Sequence, residues 1–167
     1  SVFRVLIGYT DTTGHSQYIS SVQSQPMGNL IIGDANANNL LGTVYQDVIY
    51  GLAGNDTMNG GAGIDNLLGG LGNDTYIVDG NSTDVITENA GEGTDTISSS
   101  VSYSIASLAN LENITLTGTA ATNASGNAAN NVLTGNSANN SLDGGAGNDT
   151  IDGGAGIDSL KIGRAHV

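Results

Sequence analysis

The chain has 167 residues and a formal net charge of −13, with 16 acidic against 3 basic side chains. Such a surface repels nucleic acid and anionic membranes and attracts cations; no apolar run is long enough to span a bilayer, and the lack of Cys excludes disulfides, thiolate zinc sites and Cys nucleophiles. Gly, Asn and Asp number 26, 20 and 13, while aromatics are 4%, so a large aromatic core is excluded and periodicity must decide between disorder and a repeat architecture.

Residues 1–27 carry two strand patterns, Phe3–Tyr9 and Gln17–Val22, around the turn signal Asp11-Thr12-Thr13-Gly14. This predicts a β-hairpin. The string Y-T-D-x-x-G before a second strand resembles the final hairpin of immunoglobulin-like β-sandwich modules. Two strands are not stable alone, so residues 1–27 read as the terminal hairpin of a truncated sandwich module whose other strands lie upstream. Ser1 in place of Met agrees with a fragment. Pro26 marks the boundary, and Leu30-Ile31-Ile32 is expected to start a first repeat block, 28–79.

From Gly33 the chain counts in nines. First positions are Gly33, Gly42, Gly51, Gly60 and Gly69; sixth positions are Asn38, Asp47, Asp56, Asp65 and Asp74; eighth positions are Leu40, Ile49, Met58, Leu67 and Tyr76. A second block, 126–160, repeats the phase with Gly126, Gly135, Gly144 and Gly153, then Asn131, Asn140, Asp149 and Asp158, then Leu133, Leu142, Ile151 and Leu160. Glycines within the first six residues permit a tight turn. Residues seven to nine are then extended, with position eight pointing inward. One unit cannot bury that residue alone, so units must stack as a solenoid. Two units per coil place unit n over unit n+2, about 4.8 Å apart.

Residues 80–125 interrupt the count and are read as an irregular β spacer that continues the stack. Strand candidates are Asp84–Glu88, Asp95–Ser98, Val101–Leu108 and Leu111–Thr117. Asp79, Asp84, Glu88 and Asp95 read as surface acids, with added metal ligands as the alternative, and Asp11, Asp34, Asp143 and Asp152 as solvated turn residues. The next repeat glycine is due at 162, where Ile162 stands. Residues 161–167 (K-I-G-R-A-H-V) read as a translated sequencing-library adapter, hence as a non-native tail.

The units starting at Gly60, Gly69, Gly144 and Gly153 match G-G-x-G-x-D-x-U-x in full, and the unit at Gly51 differs only at Leu52. This pattern resembles the calcium-binding nonapeptide repeat of RTX (haemolysin-type) proteins. The resemblance implies an all-β fold, a right-handed parallel β-roll in two blocks, with Ca2+ between stacked turns. The chemistry agrees with that ion. Stacked carboxylates repel without counter-charge, and carboxylates with main-chain carbonyls make a hard, all-oxygen ligand set of the kind calcium takes.

By the same resemblance the sixth-position Asp supplies a side-chain oxygen, and positions one, three and four supply carbonyls. The best predicted site is Asp56 with Gly51, Ala53 and Gly54, stacked on Asp74 with Gly69, Leu71 and Gly72. Next come Asp47 and Asp65, the latter with Gly60, Ala62 and Gly63, although Tyr45 replaces a glycine. In the second block, Asp149 (with Gly144, Ala146, Gly147) faces Asn131, and Asp158 (with Gly153, Ala155, Gly156) faces Asn140. Neutral Asn predicts weaker binding there. The unit at Gly33 reads as a degenerate cap.

No catalytic set is present: His15 and His166 are isolated, and no H-E-x-x-H, G-x-S-x-G or P-loop occurs. The expected function is therefore a non-enzymatic, calcium-folded structural and export module of a larger secreted or cell-surface bacterial protein. By resemblance its partners are calcium ions and a secretion machinery. Alternatives are a stalk segment of a repeat adhesin, with its surface ligand left open, or the C-terminal targeting part of a secreted hydrolase or toxin.

Overall fold

Two nonapeptides make one coil. Inside both blocks strands pair in parallel at an offset of 18 residues: Val48 with Asn66, Thr57 with Thr75, Val132 with Thr150. The computed structural model describes residues 6–10, 16–20, 28–80 and 83–163. Strands β1 (Leu6–Thr10) and β2 (Ser16–Ser20) form an antiparallel pair. The turn expected at Asp11–Gly14 lies outside the described residues.

The remaining strands build a parallel β-solenoid. One face is a seven-stranded sheet of β4 (Asn39–Leu41), β6 (Thr57–Asn59), β8 (Thr75–Val78), β10 (Thr96–Ser99), β12 (Asn113–Leu116), β14 (Val132–Thr134) and β16 (Thr150–Asp152). The other face has two four-stranded sheets. The first holds β3 (Leu30–Ile32), β5 (Val48–Ala53), β7 (Asn66–Leu71) and β9 (Val85–Thr87). The second holds β11 (Tyr103–Ser104), β13 (Asn123–Ser125), β15 (Ser141–Asp143) and β17 (Ser159–Lys161). Among the described residues no helix is long and apolar enough to cross a membrane.

Short strands suffice because those inside each sheet are sandwiched between two others and turn a position-eight side chain inward. Ile49, Met58, Leu67, Tyr76, Leu133 and Leu142, all at position eight, are fully buried. Leu160, in the last coil, is exposed for want of a coil beyond it among the described residues. The same column passes through the spacer as Ile86, Ile97, Ile114 and Ala124.

The spacer holds the sheets while its turns change length. Leu67 pairs with Ile86, Tyr76 with Ile97 and Ile97 with Ile114, offsets of 19, 21 and 17. Extra residues are taken up in the bends, where no ladder constrains them. One strand expectation needs correction: of Val101–Leu108 only Tyr103–Ser104 is strand. Beyond it the Leu108 N–H donates to the Ile105 carbonyl at 2.8 Å and the Leu111 N–H to that of Leu108 at 3.3 Å. These turns fold Ile105 and Leu111 into the core.

Among the described residues Leu52 is the non-glycine residue with a left-handed backbone (φ 80). Its counterparts Gly61 and Gly70 adopt φ 86 and 90. The bend therefore imposes its torsion even where a Cβ opposes it, at about 1–2 kcal/mol for an L-residue. Because Leu52 is half exposed, little packing offsets that strain. Leu52→Gly is expected to stabilise the roll by about 1 kcal/mol, read as a higher denaturant midpoint at fixed calcium; a lower midpoint would show that the Leu side chain matters more than its torsion.

Candidate metal centre

The sixth-position side chains form columns through the bends. Each Asp among them lends one oxygen to the backbone of the preceding coil. Asp56 Oδ1 accepts the Asn38 N–H at 2.8 Å, Asp65 Oδ1 that of Asp47 at 2.7 Å and Asp74 Oδ1 that of Asp56 at 2.7 Å. Asp149 and Asp158 do the same for Asn131 and Asn140, each at 2.9 Å. The second oxygen turns under the first-position glycine. A Cβ on Gly51 would collide with Asp56 Oδ2 and stand 2.5 Å from the Gly69 carbonyl oxygen. This explains why position one never departs from Gly in nine units.

That second oxygen separates the bends into two kinds. In the first kind the protein satisfies it. Asp47 Oδ2 accepts the Thr43 N–H at 2.5 Å and the Thr43 hydroxyl at 2.9 Å, while Oδ1 accepts the Asn29 N–H. Burial works to raise the Asp47 pKa, yet these donors outweigh it and hold the carboxyl below its ordinary value. Asn131 and Asn140 accept the Asn127 and Asn136 N–H groups at 2.8 and 2.9 Å. Their amide nitrogens donate to carbonyls of the preceding coil, Glu112 at 3.0 Å and Thr122 at 2.6 Å. An Asn amide here places donor hydrogens where a cation would otherwise face the carbonyls.

In the second kind the oxygen has no partner among the described residues. Asp56, Asp65, Asp74 and Asp149 each bury an unpaired Oδ2, and the first three residues are at most 1% exposed. A buried, unpaired charged oxygen costs more than the roughly 1–3 kcal/mol of a neutral one. A hard cation removes that cost, and these oxygens with nearby carbonyls fit calcium's ligand preference. Among the predicted carbonyl ligands, that of Leu71 accepts the Gly54 N–H at 2.8 Å and retains a second lone pair.

The column does not stop where the nonapeptides do. Asp95 Oδ1 accepts the Asp74 N–H at 2.8 Å, and Glu112 Oε2 accepts that of Asp95 at 2.8 Å. Asp95 is 1% exposed, and Glu88 buries an unpaired Oε2. The expectation that Asp95 and Glu88 are surface acids is thus overturned: unequal bend lengths hide them from a count in nines. Asp34, exposed, and Asp143, partly exposed, are turn acceptors as expected, each bonded to a backbone N–H two residues on. Lys161 reaches Asp143 Oδ2 at 2.7 Å on the surface, a pair worth about 0–1 kcal/mol.

Crowded burial raises several of these acids. Burial raises Asp65 and Asp74 above the ordinary value of an Asp carboxyl, and neighbouring carboxylates add to it. Burial, with Asp95, Asp74 and Glu92 around it, pushes Glu88 up to about 8 although the Tyr76 hydroxyl bonds it. Asp95 rises to about 6 for the same reasons. A raised carboxyl favours the folded state with its proton on. That contribution is complete below the unfolded pKa and is lost as pH rises, for Glu88 between 4.5 and about 8. In chelator, acidification through this window is therefore expected to increase β-structure by circular dichroism; a flat response would mean the acids are not crowded.

The chain matches the RTX calcium-binding nonapeptide repeat (4 copies) at residues 32–67, 41–76, 53–85 and 125–160, more than half its length. No curated protein matches it. The match falls on the units whose bends bury unpaired carboxylate oxygens, and the parallel solenoid is the architecture those repeats require. This chain belongs to the RTX calcium-binding nonapeptide repeat family, and calcium is its ion.

Proposed function

We propose that this segment is a calcium-folded structural and export module of a larger secreted or surface-attached bacterial protein. The observation that carries the reading is the set of buried, unpaired carboxylate oxygens on Asp56, Asp65, Asp74 and Asp149. Calcium supplies the positive charge that such a set lacks. Asp56 with Gly51, Ala53 and Gly54, and Asp74 with Gly69, Leu71 and Gly72, are the residues proposed to hold it best. Asp65 and Asp149 follow with the carbonyls of Gly60, Ala62, Gly63, Gly144, Ala146 and Gly147. Asp158 with Gly153, Ala155 and Gly156 is proposed at the last coil. Asp47 is the weakest of the proposed ligands, since Thr43 and Asn29 already occupy its oxygens.

Binding and folding are coupled in this reading. The chain stays open where calcium is scarce, which suits passage through a secretion channel, and coils outside the cell. It performs no catalysis of its own. The test is the calcium midpoint of folding. A midpoint on the order of 10⁻⁴–10⁻³ M fits an extracellular module; one below about 10⁻⁶ M, in the range of intracellular sensors, would mean folding before export and defeat the reading. A second reading, an adhesin stalk, draws on the antiparallel pair of Leu6–Thr10 and Ser16–Ser20 ahead of the roll. Tandem sandwich modules in the parent protein would favour it.

A further inference from the structure

The bend that follows the first repeat block departs from the nonapeptide pattern, yet it is laid over a regular one. Leu68 pairs with Thr87 and Thr75 with Thr96. Glu88 therefore stands over Gly69, and Asp95 over Asp74. The Gly72 N–H donates to the Glu92 carbonyl at 2.7 Å, which ties the two bends together midway. Where a repeat offers only a glycine carbonyl at its first position, this bend offers a carboxylate.

Oxygens of Asp74, Glu88 and Asp95 lie within 4.8 Å of one another. Ligands of one calcium ion stand no further apart than about 5 Å, twice the usual Ca–O distance. Asp74 is 1% exposed and its Oδ2 has no partner; Glu88 Oε2 is likewise buried and unpaired. The two carboxylates meet at Gly69: a Cβ there would collide with Asp74 Oδ2 and stand 2.5 Å from Tyr76 Oη and 2.7 Å from Glu88 Oε1. Tyr76 occupies an eighth position that is aliphatic in the other repeats. Its hydroxyl accepts the Gly69 N–H at 2.8 Å and donates to Glu88 Oε1. It thereby holds Glu88 facing inward and leaves Oε2 free.

We propose that Asp74, Glu88 and Asp95 form a calcium site at the edge of the first repeat block, oriented by Tyr76, which binds more tightly than the bends made of repeats alone. Three carboxylates meet here where two repeat units bring two, and ligand charge count sets calcium affinity. The proposal rests on the repeat reading for its ion and shares Asp74 with it, but adds Glu88 and Asp95, which that reading does not use. It would make the end of the first block the place where the roll first takes up calcium.

The test is calorimetric titration of calcium into the chelator-stripped full chain, comparing wild type, Glu88→Gln and Tyr76→Phe. Glu88→Gln should bind one ion fewer, that ion being the tightest, with an unchanged circular dichroism spectrum in saturating calcium. Tyr76→Phe keeps the buried ring and should keep the ion, but weaken the tightest class about tenfold, as expected for loss of an outer-shell partner. If Glu88→Gln fails to fold, Tyr76→Phe decides: an unchanged tightest Kd overturns the site. Equal stoichiometry and tightest Kd in Glu88→Gln and wild type also overturn it while leaving the repeat sites intact. A wild-type chain that takes up no calcium overturns both.

Discussion

Removing calcium is expected to unfold the solenoid as a whole. Four sixth-position Asp residues bury an unpaired oxygen. An ion that binds only the folded state contributes about 2.7 kcal/mol at a hundredfold excess over its Kd. The four residues make three such sites, since Asp56 stacks on Asp74, and three reach about 8 kcal/mol, inside the range of about 5–15 kcal/mol that makes up a whole domain's stability. The apolar core offers little reserve, because each strand adds one inward side chain such as Ile49, Met58 or Leu67. Far-UV circular dichroism should pass from β-sheet to coil as chelator exceeds calcium, and return on adding calcium back. Magnesium should restore much less, since it demands near-octahedral geometry and keeps its waters. A spectrum equally rich in β-structure in excess chelator would show that hydrogen bonds between coils suffice.

The second large effect is expected from single acids of the column. Asp56→Ala removes an unpaired oxygen aimed at the bend and strands the Asn38 N–H that Oδ1 accepts. It should raise the calcium midpoint by about tenfold or more, a loss of at least about 1.4 kcal/mol. Asp143→Ala, on the exposed outer side with Lys161 as partner, should stay within about 0.5 kcal/mol of wild type. Asp56→Asn separates the two roles of the residue. It can still accept the Asn38 N–H but carries no charge, so a midpoint near that of Asp56→Ala assigns the effect to the cation rather than to the cap. Equal midpoints for Asp56→Ala and Asp143→Ala would mean the ligands have been assigned to the wrong residues.

Much of this was legible in one dimension. The offsets of Gly51, Asp56 and Met58 predict a bend, a column and an inward residue. A spacing of nine with two units per coil predicts the pairing of Val48 with Asn66. The strands β9, β10 and β12 were visible as short apolar alternations, whereas β13 (Asn123–Ser125) was not, since Ala124 is too small to mark a strand.

The division between what the chain announces and what folding adds follows from where constraint acts. By itself the amino-acid string determined the family, the parallel stacking and the need for a hard cation, because strict repetition puts like residues at like places in every coil. Only the tertiary structure decided which oxygens remain unpaired. Asp47 and Asp56 share one position in the repeat, yet Thr43 satisfies the first and nothing satisfies the second. It also decided that Glu88 and Asp95 stand over Gly69 and Asp74. Sheet ladders fix the strands at their hydrogen-bonding distance and leave bend length free, so acids many residues apart, at no constant interval, meet around one point.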